Sequence, residues 1–162
     1  MTPDELAKRG LEHSEQKALF AWAAMAAMCG FEYANDDLSY DIRTRAGLRY
    51  WAYEVPQLSR LFAIHNQGHG DQIRGARARA EGVKAGVPDI MLPWPKFENG
   101  SAWHAGLFIE LKRKTKKGRA SAGQDDWLAY LCDVGYVAIA AVGWREAADV
   151  IEAYATGKEI KC

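Results

Sequence analysis

Cysteine is scarce in this sequence. Its three residues, Cys29, Cys132 and Cys162, lie far apart and form no C-x-x-C pair, which argues against a disulfide framework or a zinc site and for a reducing, cytoplasmic setting. Net charge is absent as well, with 21 Lys and Arg against 21 Asp and Glu. A globally basic nucleic-acid binder is therefore excluded, and any attraction for a polyanion has to come from local clusters. No run of about 18 uncharged apolar residues occurs, so no membrane-spanning helix is expected. The start, Met1-Thr2-Pro3-Asp4-Glu5, lacks the basic and apolar regions of a secretory signal. Repeats, low-complexity segments and linkers are missing too, and residues 1–162 read as one domain.

What is present suits a folded α/β chain. With 162 residues, 49% of them hydrophobic, plus six Trp and seven Tyr, the chain can bury roughly 70% of its unfolded surface without staples. Leu11, Ala18, Leu19, Trp22, Met25 and Ala26 recur at helical spacing, predicting a helix over 11–28 that stops at Gly30 and carries Glu12, Glu15 and Gln16 on its polar face. The pattern weakens over 31–60, where no element is assigned. A short strand is expected over 61–66, a basic helix over 71–81, and a strand over 87–92 ended by Pro93-Trp94-Pro95. A loop over 96–106 leads into a period-two strand. There Leu107, Ile109 and Leu111 form an apolar face, while Phe108, Glu110 and Lys112 face the other way. A helix over 121–134, a strand over 136–142 and a helix over 144–154 complete a single domain with a mixed sheet.

Pro88-Asp89 followed by Glu110-Leu111-Lys112 is the most informative constellation. Two carboxylates on adjacent strands can share a hard divalent cation such as Mg²⁺, and the Leu111 carbonyl could add a third oxygen. A cation there would lower the pKa of a bound water and screen the charge that builds on a phosphodiester under attack. Lys112, on the same strand face as Glu110, can orient or deprotonate that water. The step from Asp89 to Glu110 suits two neighbouring strands, with Ile90, Leu92, Ile109 and Leu111 as buried scaffold. Each feature alone has an ordinary structural explanation: a solvated sheet face for Glu110 and Lys112, a turn for Pro88-Asp89.

Basic residues crowd the same region. Arg113, Lys114, Lys116, Lys117 and Arg119 follow the strand directly, and Arg74, Arg77, Arg79 and Lys84 precede Pro88. Contacts of this kind hold phosphates without reading sequence and make binding steeply salt dependent. His65-Asn66 with His69 is too closely spaced for the metal hairpin of an HNH nuclease and reads better as a strand end beside the cleft.

Together, the run Ala80-Glu81-Gly82-Val83-Lys84-Ala85-Gly86-Val87-Pro88-Asp89, the strand Leu107 to Arg113 with its Glu110-Leu111-Lys112, and Gln124-x-x-Trp127 resemble the PD-(D/E)XK nuclease core. More narrowly they are similar to the virus-type replication-repair nucleases, the VRR-NUC family. The resemblance covers the first long helix and about 61–154, and departs over 31–60, a possible insertion. It implies a restriction-endonuclease-like α/β core, a mixed central sheet flanked by helices, acting as a Mg²⁺- or Mn²⁺-dependent DNA endonuclease. Asp89, Glu110 and the Leu111 carbonyl would hold the metal. A first-helix acid would assist, Glu15 by the preferred match, with Glu12 one turn earlier as the alternative. Gln124 would line the active site, although Ser121-x-x-Gln124 also reads as a capping box. Small stand-alone members of the family are associated with branched DNA and act as homodimers. Four-way (Holliday) junctions are thus the leading expected substrate, DNA repair the setting, and a bacterial or phage-infected cell the expected host. A flap, nick or duplex nuclease, or a non-catalytic branched-DNA-binding module, is the alternative. The aromatic group Tyr50, Trp51 and Tyr53 would supply either a dimer contact or cover for the chain's own core.

Overall fold

The computed structural model describes residues 1–8, 11–35, 53–64, 76–78, 80–98, 101–113 and 122–161, with the side chains of 98, 101 and 102 excepted. Helix α1, Pro3–Ala7, opens on a capping box in which Thr2 and Glu5 satisfy each other's backbone amides. Helix α2, Glu12–Cys29, is rich in alanine, and its Gly30 cap, at φ +86°, donates to the Ala26 carbonyl. A short α3, Phe31–Asn35, follows. Its Asn35 accepts from the Trp22 indole at 2.9 Å, and Pro56–Arg60 forms a 3-10 turn.

Among the described residues six strands are seen: β1 Phe62–Ala63, β2 Ile90–Leu92, β3 Lys96–Glu98, β4 Ser101–His104, β5 Leu107–Lys112 and β6 Val137–Val142. The main sheet runs β1-β2-β5-β6, antiparallel except for the parallel β5–β6 pair, and β3–β4 is a separate hairpin. Helix α4, Ala122–Asp133, connects the parallel strands, and α5, Gly143–Thr156, returns along the sheet to a left-handed Gly157. The mixed sheet flanked by helices matches the expected architecture.

Two apolar layers sandwich the sheet. Ile90, Leu92, Leu107, Ile109, Leu111 and Val137 pack with Leu19, Trp22, Ala147 and Ile151 of α2 and α5. On the opposite face Phe108 and Ala138 meet Leu131 of α4, with Trp127, Leu128 and Tyr136 around them. The strand face carrying Phe108, Glu110 and Lys112 is therefore not solvated. Helix α4 lies over it and leaves Glu110 only 3% exposed.

Several expectations need correction. The stretch expected as a loop over 96–106 contains the β3–β4 hairpin. The strand expected over 61–66 is seen only at Phe62–Ala63, and 65–66 lie outside the described residues. Of the helix expected over 71–81, residues 76–78 are helical and 71–75 lie outside. Cys132 is disulfide-bonded, against the expectation that no cysteine pairs, while Cys29 is free. Of the aromatic group, Tyr53 packs half-buried against the chain's own core, and Tyr50 and Trp51 lie outside the described residues. No helix among the described residues is long and apolar enough to cross a membrane.

Candidate active site

The site forms where β2 and β5 run side by side. Their register pairs Ile90 with Ile109, so one further step puts Asp89 opposite Glu110 on the same face. Pro88 is fully buried, and the Asp89 carboxylate accepts the Leu111 amide at 3.0 Å through Oδ2. That bond aims the aspartate at the strand carrying Glu110 and Lys112.

Lys112 Nζ donates to Glu110 Oε1 at 2.9 Å and to Gln124 Oε1 at 2.7 Å, while Gln124 Nε2 donates to the same Glu110 oxygen. A lysine ammonium only donates and a carboxylate only accepts, so the two partners fix which end of the Gln124 amide faces which. With both ends of its side chain engaged here, Gln124 faces the site rather than only its own helix start. Burial pushes the Glu110 carboxyl above its ordinary range. The Lys112 hydrogen bond and charge oppose that shift, and the charges of Asp89 and Glu12 add to it. Glu110 Oε2 is buried and finds no partner among the described residues. An acceptor left in that state costs free energy until a cation or donor reaches it.

The first long helix contributes two acids with different surroundings. Glu12 is half exposed and pairs with Arg113 Nε at 3.3 Å. Glu15 is 1% exposed, and its Oε2 accepts the Trp144 amide at 2.9 Å, in the first turn of α5. Because Val142 pairs with Lys112 across the parallel ladder, Trp144 and Glu15 lie at the Lys112 end of the sheet.

Helix α4 is held against the site by a close backbone approach. Gly86, at φ +88°, lies so near Gly123 that an added Cβ would come within 2.7 Å of its carbonyl oxygen. The Trp127 indole also donates to the Ala85 carbonyl at 3.1 Å. These contacts set the depth at which Gln124 enters.

Asp89, Glu110, Lys112 and Gln124 are thus brought together, with Leu111 bound through its backbone. The donor set suits a hard cation: two carboxylates stand opposite each other in the ladder register, and one buried carboxylate oxygen has no partner among the described residues. Among the described residues no group of three or more His, Cys, Asp or Glu is gathered around a common point. Of the basic residues, Arg113, Arg77 and Lys84 are exposed. Arg74, Arg79, Lys114, Lys116, Lys117 and Arg119 lie outside the described residues, as do His65, Asn66 and His69. Sequence reasoning missed the Gly86–Gly123 approach and the β3–β4 hairpin. Asn99-Gly100, a strong turn signal between two short runs, could have revealed the hairpin.

The family model for the VRR-NUC domain matches residues 34–144. The match includes Asp89, Glu110, Lys112 and Gln124 and begins after the helix that carries Glu12 and Glu15. No curated protein matches the chain. A solved structure described as a VRR_NUC domain protein is similar over 93% of this chain and 92% of that one, at 19% identity and a TM-score of 0.60. A likeness at that identity bears on the fold.

Proposed function

The chain belongs to the VRR-NUC family, a family of nucleases, and on that premise we propose that it is a Mg²⁺- or Mn²⁺-dependent DNA endonuclease that acts on branched DNA. One observation carries the reading: the closed Lys112–Glu110–Gln124 triangle beside Asp89, with Glu110 Oε2 buried and unpartnered among the described residues.

Asp89, Glu110 and the Leu111 carbonyl would hold the metal. When bound, the ion supplies a more acidic water and a Lewis acid at the phosphoryl oxygen. Asp89 is oriented by the Leu111 amide, so the aspartate and the Leu111 backbone are positioned as one unit. Lys112 exchanges its bond to Glu110 for one to the attacking water or the scissile phosphate. Gln124 keeps the ammonium aimed during that exchange. Glu15, held through Oε2 by α5, assists with its other oxygen directly or through water. Arg74, Arg77, Lys84, Arg113, Lys114, Lys116, Lys117 and Arg119 contact phosphates on either side.

For the substrate we favour a four-way junction cut by a homodimer. Two strands of like polarity must be incised there, whereas one chain offers a single Asp89/Glu110/Lys112 site. The test is cleavage of labelled flap, nicked, duplex and four-way DNAs, with and without Mg²⁺, by the wild type and by Asp89→Ala, Glu110→Ala and Lys112→Ala, with circular dichroism on each protein. Each variant is expected to stay folded and lose cleavage. Near-wild-type turnover in a folded variant would remove that residue from the mechanism. Cleavage that ignores branching would replace the junction reading with that of a flap or duplex nuclease.

A further inference from the structure

A second concave region lies away from Asp89 and Glu110. The β3–β4 hairpin, the end of α5 and the segment after it enclose a cavity of about 160 Å³, lined among others by Lys96, Phe97, Trp103, His104, Tyr154 and Lys158. Two bonds lock its base. The Tyr154 hydroxyl donates to the Trp94 carbonyl at 2.6 Å, and Lys96 Nζ donates to the Ala155 carbonyl at 2.9 Å. The Lys96 ammonium sits 3.5 Å from the Trp94 ring centroid, and burial lowers its pKa. At the mouth, Phe97 and Trp103 are 66% and 51% exposed, and Trp103 stacks on His104 with ring centroids 4.7 Å apart.

Three properties narrow the ligand. Among the described residues no lining group is acidic, and while Lys96 is engaged in the base the exposed Lys158 stands at the rim, so an anion is favoured there. The walls are aromatic, so a flat ring is favoured. The volume holds only about five waters at roughly 30 Å³ each, so one small ring system fits and a drug-sized ligand does not. A second copy of this chain is disfavoured, because a twofold contact here would set Lys96 and Lys158 against their own copies.

We propose that this cavity is a nucleotide subsite, in which Phe97 and Trp103 stack one unpaired base and Lys158 holds its phosphate, the nucleotide belonging to a DNA strand that leaves the cleavage site. This rests on the nuclease reading for the source of the strand, not for the chemistry of the pocket. Val137 lines the cavity, and in the parallel ladder it pairs with Leu107, five residues before Lys112. Val137 and Tyr154 belong to the layer against α2 and α5, whereas Glu110 lies under α4, so the two sites are about 17 Å apart along the strand and on opposite faces of the sheet, a path round the sheet edge that a flexible single strand can follow and a stiff duplex cannot. Such an arrangement favours substrates with a single-stranded arm over plain duplex.

The experiment measures anisotropy of a short labelled oligothymidylate bound to the full chain in EDTA, across a salt series, with thymidine monophosphate as competitor. Trp103→Ala and Phe97→Ala are each expected to weaken the oligonucleotide about tenfold. Lys158→Ala should reduce the log–log salt slope by about one. Duplex cleavage with Mg²⁺ should be unchanged in all three. Unaltered oligonucleotide affinity in both aromatic variants would overturn the proposal. Displacement by the mononucleotide at equal affinity would overturn its strand source, and a dimer that dissociates on Trp103→Ala would reassign the surface to self-association. Trp103-dependent binding by a protein that cleaves no DNA would leave the pocket standing and remove the nuclease reading.

Discussion

Gly86→Ala should damage the protein from outside the set of reacting groups. The residue has φ +88°, and its new Cβ would lie 2.7 Å from the Gly123 carbonyl oxygen, 2.9 Å from its carbon and 3.0 Å from Trp127 Cδ1. Two of these neighbours are backbone, so no side-chain rotation relieves the contact. The left-handed conformation costs about 1–2 kcal/mol for a residue with a Cβ, and overpacking adds about 1–3 kcal/mol. For a chain of this length the sum lowers Tm by about 5–15 °C. Activity should fall further than stability, because Asp89 follows Gly86 by three residues and Gln124 follows Gly123 by one. Separating them by about 1 Å is worth about 100-fold in rate. Gly123→Ala is the control. A Cβ there meets nothing within 4 Å, and the helix should gain about 0.4–1 kcal/mol. Differential scanning fluorimetry and cleavage kinetics on both variants decide the matter. A Gly86→Ala protein that melts within 2 °C of the wild type, on the order of the shift expected from a 1 kcal/mol change, would refute the close approach.

Two further predictions concern the acids. Glu15→Ala should lose about 1–3 kcal/mol by leaving the buried Trp144 amide unpaired, and Glu15→Gln, which retains an acceptor, should recover most of it. Cleavage should nevertheless stay at least about tenfold down in Glu15→Gln, while Glu12→Gln stays within a few-fold. The reverse order would make Glu12 the first-helix acid. For Glu110, whose folded pKa is raised by burial, the metal-free fold disfavours the ionised form relative to water. The stabilising contribution of Glu110 is fully present below the ordinary Glu pKa of about 4.3 and is lost as pH rises through the raised folded value. Metal requires the ionised form, so the Mg²⁺-induced rise in Tm should grow with pH through that window. A metal-induced shift that is independent of pH across the acid range, or unchanged in Glu110→Gln, would show that Glu110 does not bind the ion.

Much of this protein is legible in the sequence, because the signals involved are local. The apolar spacing from Ala18 to Ala26 requires one face of a helix, and the alternation from Leu107 to Lys112 requires a strand. Asp89 and Glu110 came out as neighbours because a carboxylate beside a buried Ile-Met-Leu strand and another inside an apolar strand need adjacent partners in one sheet. Tertiary structure alone decided what those side chains experience. Period two places Glu110 and Phe108 on one face but does not say whether that face meets water. Helix α4 covers it, and burial then moves the Glu110 carboxyl. Likewise, the sequence allowed Gln124 a capping role or a role in the site. The approach of Gly86 to Gly123, distant in the chain, brings its amide to Lys112. The two acids of α2 differ by one helical turn, yet Glu15 is buried against the start of α5 and Glu12 is half exposed, because rotation about the helix axis is set by packing on the sheet. Period and residue type are properties of neighbouring residues, whereas depth, charge state and rotation are set by surfaces that meet only when the whole chain has closed.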